Sequence, residues 1–304
     1  VRIVSLLPSA TEIVCALGAG AELVGVSHEC DFPSFVRSLP RVTRPKLDIH
    51  RASASIDADV RRLVAGGLGV YTIDVDALAT LRPDVIVTQH QCDVCAVSYA
   101  EVEAAARSVI GAAVRIVSLA PRTLADVWDD IERVAVALGR VVAGRNVVAE
   151  IAARLAALGS STAALPAPTV ACIEWIDPLM MAANWTAELV HIAGGRYPFA
   201  DVGAHSPTVA WTDLVRVQPD MVVLMPCGFP IAQTRRELGA LRSRPEWRAL
   251  HAVGAGRASV VDGNAYFNRA GPRLVESAEI LAALLHPDEC GDRMIAGASE
   301  WILP

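Results

Sequence analysis

The side chains best suited to chemistry gather in two short stretches, Ser27-His28-Glu29-Cys30-Asp31-Phe32-Pro33 and Gln89-His90-Gln91-Cys92-Asp93-Val94-Cys95. Cys92-x-x-Cys95, with His28 and Cys30, can supply four nitrogen and sulfur ligands to zinc or iron at tetrahedral geometry. The same CxxC can act as a redox dithiol where a helix N-terminus lowers its thiol pKa. Buried thiols also pack as small apolar groups. Residue types leave these three readings open, and with them the alternative of a cytoplasmic, thiol-dependent metal-binding or cofactor-processing protein using His28, Cys30, Cys92 and Cys95.

A second group is aromatic. Only 5% of the chain is Phe, Trp or Tyr, yet Phe32, Trp175, Trp185, Phe229, Tyr266 and Phe267 all fall in or near segments that follow strand-like runs. That placement suits a pocket that stacks on a flat ligand, and it also suits plugs that seal loop bases against a core. Machinery for turnover is harder to find. GxSxG, HExxH, GxxxxGK[ST] and GxGxxG are all missing, and His28, His90 and His205 have no nucleophile or orienting partner at a fixed spacing. Glu12 and Glu188 read as first-turn helix carboxylates rather than general bases. No catalytic residue is assigned, and a binding protein is expected rather than an enzyme.

These side chains need a scaffold, and its pattern is regular. Val- and Ile-rich runs at Arg2–Leu7, Leu23–Val26, Val85–Thr88, Arg115–Ser118, Thr169–Ile173, Met221–Leu224 and Ala258–Val261 alternate with Ala/Leu helical patterns. Alternation of this kind predicts parallel sheets with helices on both faces, an α/β fold. In parallel sheets ligands meet the loops beyond the carboxyl ends of the strands, where both groups of residues lie. The plan occurs twice. Ser9-Ala10-Thr11-Glu12-Ile13-Val14 before Leu17-Gly18 is echoed by Trp185-Thr186-Ala187-Glu188-Leu189-Val190 before Ala193-Gly194, and Leu81-Arg82-Pro83-Asp84 by Val217-Gln218-Pro219-Asp220. Between the copies, Leu124, Val127, Ile131, Val134 and Leu138 predict one long helix from Thr123 to about Leu158, opened by a capping box at Thr123–Asp126. The expected division is 1–121, a connecting helix over 122–160, and 161–304.

At 304 residues the chain suits two lobes of about 150 residues each. Its 27 basic and 33 acidic residues give a net charge of −6 with no Lys/Arg-rich face, which argues against nucleic acid as a partner. No run of about 18 uncharged apolar residues predicts a membrane-spanning helix. No export leader is visible, and the seven cysteines are odd in number and scattered. The expectation is therefore a cytoplasmic protein, or an extracytoplasmic one if a leader was removed.

Arg2-Ile3-Val4-Ser5-Leu6-Leu7-Pro8-Ser9-Ala10-Thr11-Glu12, Val24-Gly25-Val26-Ser27, Asp31-Phe32-Pro33, Leu81-Arg82-Pro83-Asp84 and Phe267-Asn268-Arg269-Ala270-Gly271-Pro272-Arg273 run in order along nearly the whole chain. This series resembles the metal-chelate-binding substrate-binding proteins of ABC importers, the cobalamin-binding ones most closely. The resemblance implies two Rossmann-like lobes joined by one long helix. It also implies a ligand such as cobalamin, haem or a ferric siderophore held at their interface, an importer permease as partner, and no cofactor. By the same resemblance Phe32, Gln89, Trp175, Trp185, Tyr266 and Phe267 would face the ligand. Gln89 stands where cobalamin binders often carry an aromatic, and the cysteine-bearing loops are not required of a transport receptor.

Overall fold

Each long apolar run of the sequence forms a parallel strand. The structure, a computed structural model, describes residues 1–65, 69–90, 99–109 and 114–303. Two compact units emerge: unit 1 comprises Val1–Arg51, Ala58–Pro121 and Ala125–Glu150, and unit 2 comprises Ala52–Asp57, Arg122–Leu124 and Ile151–Pro304.

The elements assigned mainly to unit 1 follow the order β1 (Ile3–Ser5), α1 (Pro8–Ala16), β2 (Leu23–Val26), β3 (Thr43–Pro45), α2 (Ser53–Ala65), β4 (Tyr71–Ile73), α3 (Val75–Leu81), β5 (Val85–Gln89), α4 (Tyr99–Val109), β6 (Arg115–Leu119) and α5 (Leu124–Ala137). Its main sheet has the order β2-β1-β5-β6 with every pairing parallel. Val4, Leu6, Ile86 and Leu78 are core residues there. Helix α6 (Val141–Thr162) carries the chain from unit 1 into unit 2.

Unit 2 continues with β7 (Val170–Trp175), β8 (Met180–Met181), α7 (Thr186–Ile192), α8 (Trp211–Val217), β9 (Met221–Leu224), α9 (Ile231–Ser243), α10 (Pro245–Arg248), α11 (His251–Gly254), β10 (Ala258–Val261), α12 (Leu274–Leu285), α13 (Pro287–Cys290) and β11 (Ser299–Trp301). The sheet order is β11-β10-β9-β7-β8, parallel in the centre and antiparallel at both edges. Ile173, Val222, Leu224, Val260 and Trp247 form its core, and Trp211 opens α8 and meets Trp247 edge to face.

The repeated motifs take the same backbone shape in each unit. Helix α1 ends on left-handed Gly18, whose N–H reaches Cys15 O while Ala19 N–H reaches Val14 O. Helix α7 ends on left-handed Gly194 with His191 O and Val190 O in those roles, so both are Schellman endings. Arg82 and Gln218 are both left-handed after their helices. The aspartates that follow do the same work. Asp84 Oδ2 accepts Arg2 N–H at 2.7 Å and Asp220 Oδ2 accepts Thr169 N–H at 2.7 Å, each pinning the start of a central strand.

Two sequence expectations change, and four short strands join the ones expected. The single helix expected over 123–158 is two helices, because Gly139 at φ +68° ends α5 in another Schellman turn, with Gly139 N–H on Val136 O and Arg140 N–H on Ala135 O. The long helix leading into unit 2 is α6 alone. Strands β3, β4, β8 and β11, two or three residues each, are too short to announce themselves in the sequence. Glu12 lies beyond the first turn of α1 and is buried, whereas Glu188 does sit in the first turn of α7.

Candidate functional site

Sheet order locates the site loops in each unit separately. In unit 1 the chain runs from β1 outward to β2 on one side and through β5 to β6 on the other, so it reverses between β1 and β5. In unit 2 the reversal lies between β7 and β9. Loops diverge at such points and leave a crevice beyond the carboxyl ends of the strands. Gln89 ends β5, Trp175 ends β7, and Phe229 follows β9.

In unit 1 the loop after β2 is held from beneath. Arg41 Nη1 donates to Ser27 O at 2.9 Å and Cys30 O at 2.8 Å. Thr43 Oγ1 accepts the His28 backbone N–H at 3.0 Å and lies 2.7 Å from His28 Nδ1 and 3.1 Å from Ser27 Oγ. A threonine hydroxyl has one proton. If it goes to Ser27, Nδ1–H must be the donor to Thr43, and Nε2 carries a bare lone pair. Nε2 is buried with no hydrogen-bond partner. Burial, with a smaller contribution from the Arg41 charge, lowers the His28 pKa to about 4, so the ring is neutral at physiological pH. Beside it, Tyr71 donates to Glu29 Oε1 at 3.1 Å.

Cys30 is buried, its Sγ 3.1 Å from Thr11 Oγ1, which also lies 2.8 Å from Ser5 Oγ. That is the setting of a packed thiol rather than of a sulfur presented to a metal. Cys92 and Cys95 lie outside the described residues. Among the described residues no three His, Cys, Asp or Glu side chains converge as a metal-binding group. Phe32, by contrast, is 44% exposed.

In unit 2 the aromatic residues divide into two layers. Phe229 and Phe267 are each 2% exposed and Trp185 is 7% exposed, so their rings pack within the structure. Trp175 is partly buried, edge-on to Phe229 with 5.2 Å between ring centroids, and its Nε1 has no hydrogen-bond partner. Tyr266, expected at the surface of the pocket, is buried as well, 9% exposed, with the Arg273 guanidinium over its ring at 4.4 Å. Neighbouring Glu174 accepts the Ser206 hydroxyl at 2.7 Å, and burial raises its pKa despite that bond and one from the Ala183 N–H. The loops after β9 and β10 touch through backbone: a Cβ on Gly263 would stand 2.3 Å from Pro226 O, so only glycine fits. Asn268 Nδ2 ties the same loops by donating to Met225 O at 3.0 Å and Gly263 O at 2.9 Å.

Sequence reasoning missed Arg41 and Thr43 and gave no role to Glu174 or Asn268. Their partners lie up to 43 residues away, and no local pattern announces them. A neutral imidazole in unit 1, and flat aromatic surface with backbone-braced loops in unit 2, suit recognition.

A family model described as periplasmic binding protein matches residues 3–265. A vitamin B12-binding protein of Vibrio vulnificus (strain CMCP6) is 23% identical over 227 residues, covering 74% of this chain and 71% of that one. An uncharacterized ABC transporter substrate-binding lipoprotein of Bacillus subtilis (strain 168) is 23% identical over 296 residues, 94% of this chain and 80% of that one. Among solved structures, a periplasmic heme binding protein from Pseudomonas aeruginosa shares the fold at a TM-score of 0.70 and 21% identity, covering 95% of this chain and 93% of that one. These findings overturn the cytoplasmic expectation, since the family and these relatives are periplasmic proteins or lipoproteins. The thiols misled because pairing was taken as the mark of compartment. Cys30, Cys172 and Cys290 are buried and serve as small packing groups, which any compartment tolerates.

Proposed function

Since the chain belongs to the periplasmic binding protein family, whose members bind and deliver ligands without transforming them, we propose that it is the substrate-binding component of an ABC importer for a metal chelate. We propose a corrinoid of the cobalamin type as the ligand. It would be received by the loops at the carboxyl ends of the parallel strands and handed to a permease partner. The observation that carries this reading is the pair of switch points, which end on Gln89 in unit 1 and Trp175 in unit 2. A planar macrocycle with polar edges calls for such a mixture of flat apolar surface and a few hydrogen-bonding groups. The vitamin B12-binding relative supports the corrinoid, and the heme-binding neighbour supports the wider class of chelated metals.

Within this reading Phe32 and Gln89 are the ligand-facing residues of unit 1 and Trp175 that of unit 2, and Trp185, Phe229, Tyr266 and Phe267 form the layer behind Trp175. Titrating ligand-free protein with hydroxocobalamin, and separately with hemin, followed by visible absorption and calorimetry, tests the proposal. One hydroxocobalamin per chain is expected. Hemin binding without hydroxocobalamin binding would replace the corrinoid with haem, and absence of both at high micromolar concentration would refute the chelate reading.

A further inference from the structure

Phe267 is a bulky residue at φ +61°, in the left-handed region that side chains other than glycine, asparagine and aspartate seldom occupy. Such a conformation persists only where its surroundings over-determine it, and it marks places where backbone shape matters to function. Here both backbone polar groups of Phe267 are taken by side chains from outside the loop. Its N–H donates to Ser277 Oγ on α12 at 3.0 Å, and its carbonyl accepts the indole N–H of Trp185, at the start of α7, at 2.8 Å. Ser277 is fully buried, and its hydroxyl lies 3.3 Å from Arg273 O.

The rest of the loop is braced around this point. Asp262 Oδ1 accepts the N–H groups of Asn264 and Ala265 at 3.0 and 2.8 Å, and Asn264 N–H reaches Phe229 O at 3.1 Å. Tyr266, immediately before the left-handed residue, is buried with Arg273 over its ring.

We infer that Trp185 and Ser277 are positioning residues that lock the 262–269 loop in its ligand-receiving shape before any ligand arrives, by clamping the two backbone polar groups of left-handed Phe267. This rests on the loop belonging to the binding site proposed above. It gives Trp185 a different task from stacking on the ligand and gives a role to Ser277, which no pattern in the sequence singled out. A loop formed in advance spares the ligand the cost of ordering it, and a loop formed only part of the time lowers apparent affinity by that fraction.

Hydrogen exchange in the ligand-free protein reads the lock without knowledge of the ligand. The amides of Asn264, Ala265 and Phe267 should exchange as slowly as those of β10. Trp185→Phe, which keeps an aromatic ring and loses the donor, and Ser277→Ala should each speed exchange across 262–269 at least roughly tenfold while β9 and β10 are unchanged. With hydroxocobalamin or hemin, whichever binds, the variants should associate roughly tenfold more slowly with little change in dissociation. Fast exchange of the loop in the wild type would overturn the inference, as would loss of protection spread equally over β9 and β10. If neither probe binds, the chelate reading fails, while the exchange pattern still decides whether the lock exists.

Discussion

Asp130 on α5 allows a quantitative test of what burial does in unit 1. Its carboxyl is buried, with the backbone N–H of Ala120 at 3.3 Å from Oδ2 and the Arg133 guanidinium on Oδ1. Burial is the largest influence and raises its pKa from 3.8 to about 6; Arg133 and the Ala120 N–H oppose the rise, while Asp126 and Asp129 add to it. The folded protein therefore holds the proton more tightly than the unfolded chain. The stability this confers is complete below pH 3.8 and is lost as pH rises through about 6. At pH 7.5 ionised Asp130 costs at most about 3 kcal/mol relative to the neutral form. Asp130→Asn removes that cost and keeps an acceptor for Ala120, but it gives up the ion pair. The opposing pull of Arg133, which is 53% exposed and screened by water, is already contained in that figure. A gain of at most about 3 kcal/mol should raise Tm by up to roughly 5 °C at pH 7.5 in a chain of 304 residues, and the advantage should fall to about a third by pH 4.5 and vanish below pH 3.8. Differential scanning calorimetry across that range is the assay. An equal loss of Tm at both pH values would show that Arg133, not burial, governs Asp130.

Gly263→Ala should lower Tm by several degrees and weaken ligand binding, because its Cβ meets Pro226 O. Gly139→Ala, with open space around the Cβ but φ +68°, should cost only about 1–2 kcal/mol of backbone strain and leave binding unaltered; thermal melts and ligand titrations separate the two cases. Trp175→Ala should weaken hydroxocobalamin binding by about 1–3 kcal/mol, roughly tenfold or more in Kd, as read by calorimetry. His28 should stay neutral from pH 8 to 5, and its NMR ring signals should move only near pH 4. Because its pKa is lowered, its contribution to stability is present above pH 6.5 and declines as pH falls toward 4. A ring titrating at 6.5 would contradict the buried, Thr43-held geometry.

The α/β class and the doubling of the chain were legible in the sequence because both are written locally. Leu23–Val26, Met221–Leu224 and Ala258–Val261 are strands with the bounds their apolar runs predict, since a strand buried on both faces must be continuously hydrophobic. The Gly18 and Gly194 endings and the Asp84 and Asp220 pins repeat because the same few residues impose the same turn wherever they occur. Only tertiary structure decided what long-range contact determines. Whether a loop aromatic lines a surface or fills a base depends on partners far along the chain: Trp185 meets Phe267 across 82 residues, while Phe32 stays exposed. The state of His28 depends on Thr43 and Arg41, and the packing of Cys30 on Thr11 and Ser5. Helix periodicity runs through Gly139 without a visible break, because the break comes from a positive φ at one residue and not from the apolar pattern on either side of it. Side-chain type and spacing thus determined the long parallel strands and which loops follow them. Burial and hydrogen bonding between distant residues decided which of those side chains are presented and in what protonation state.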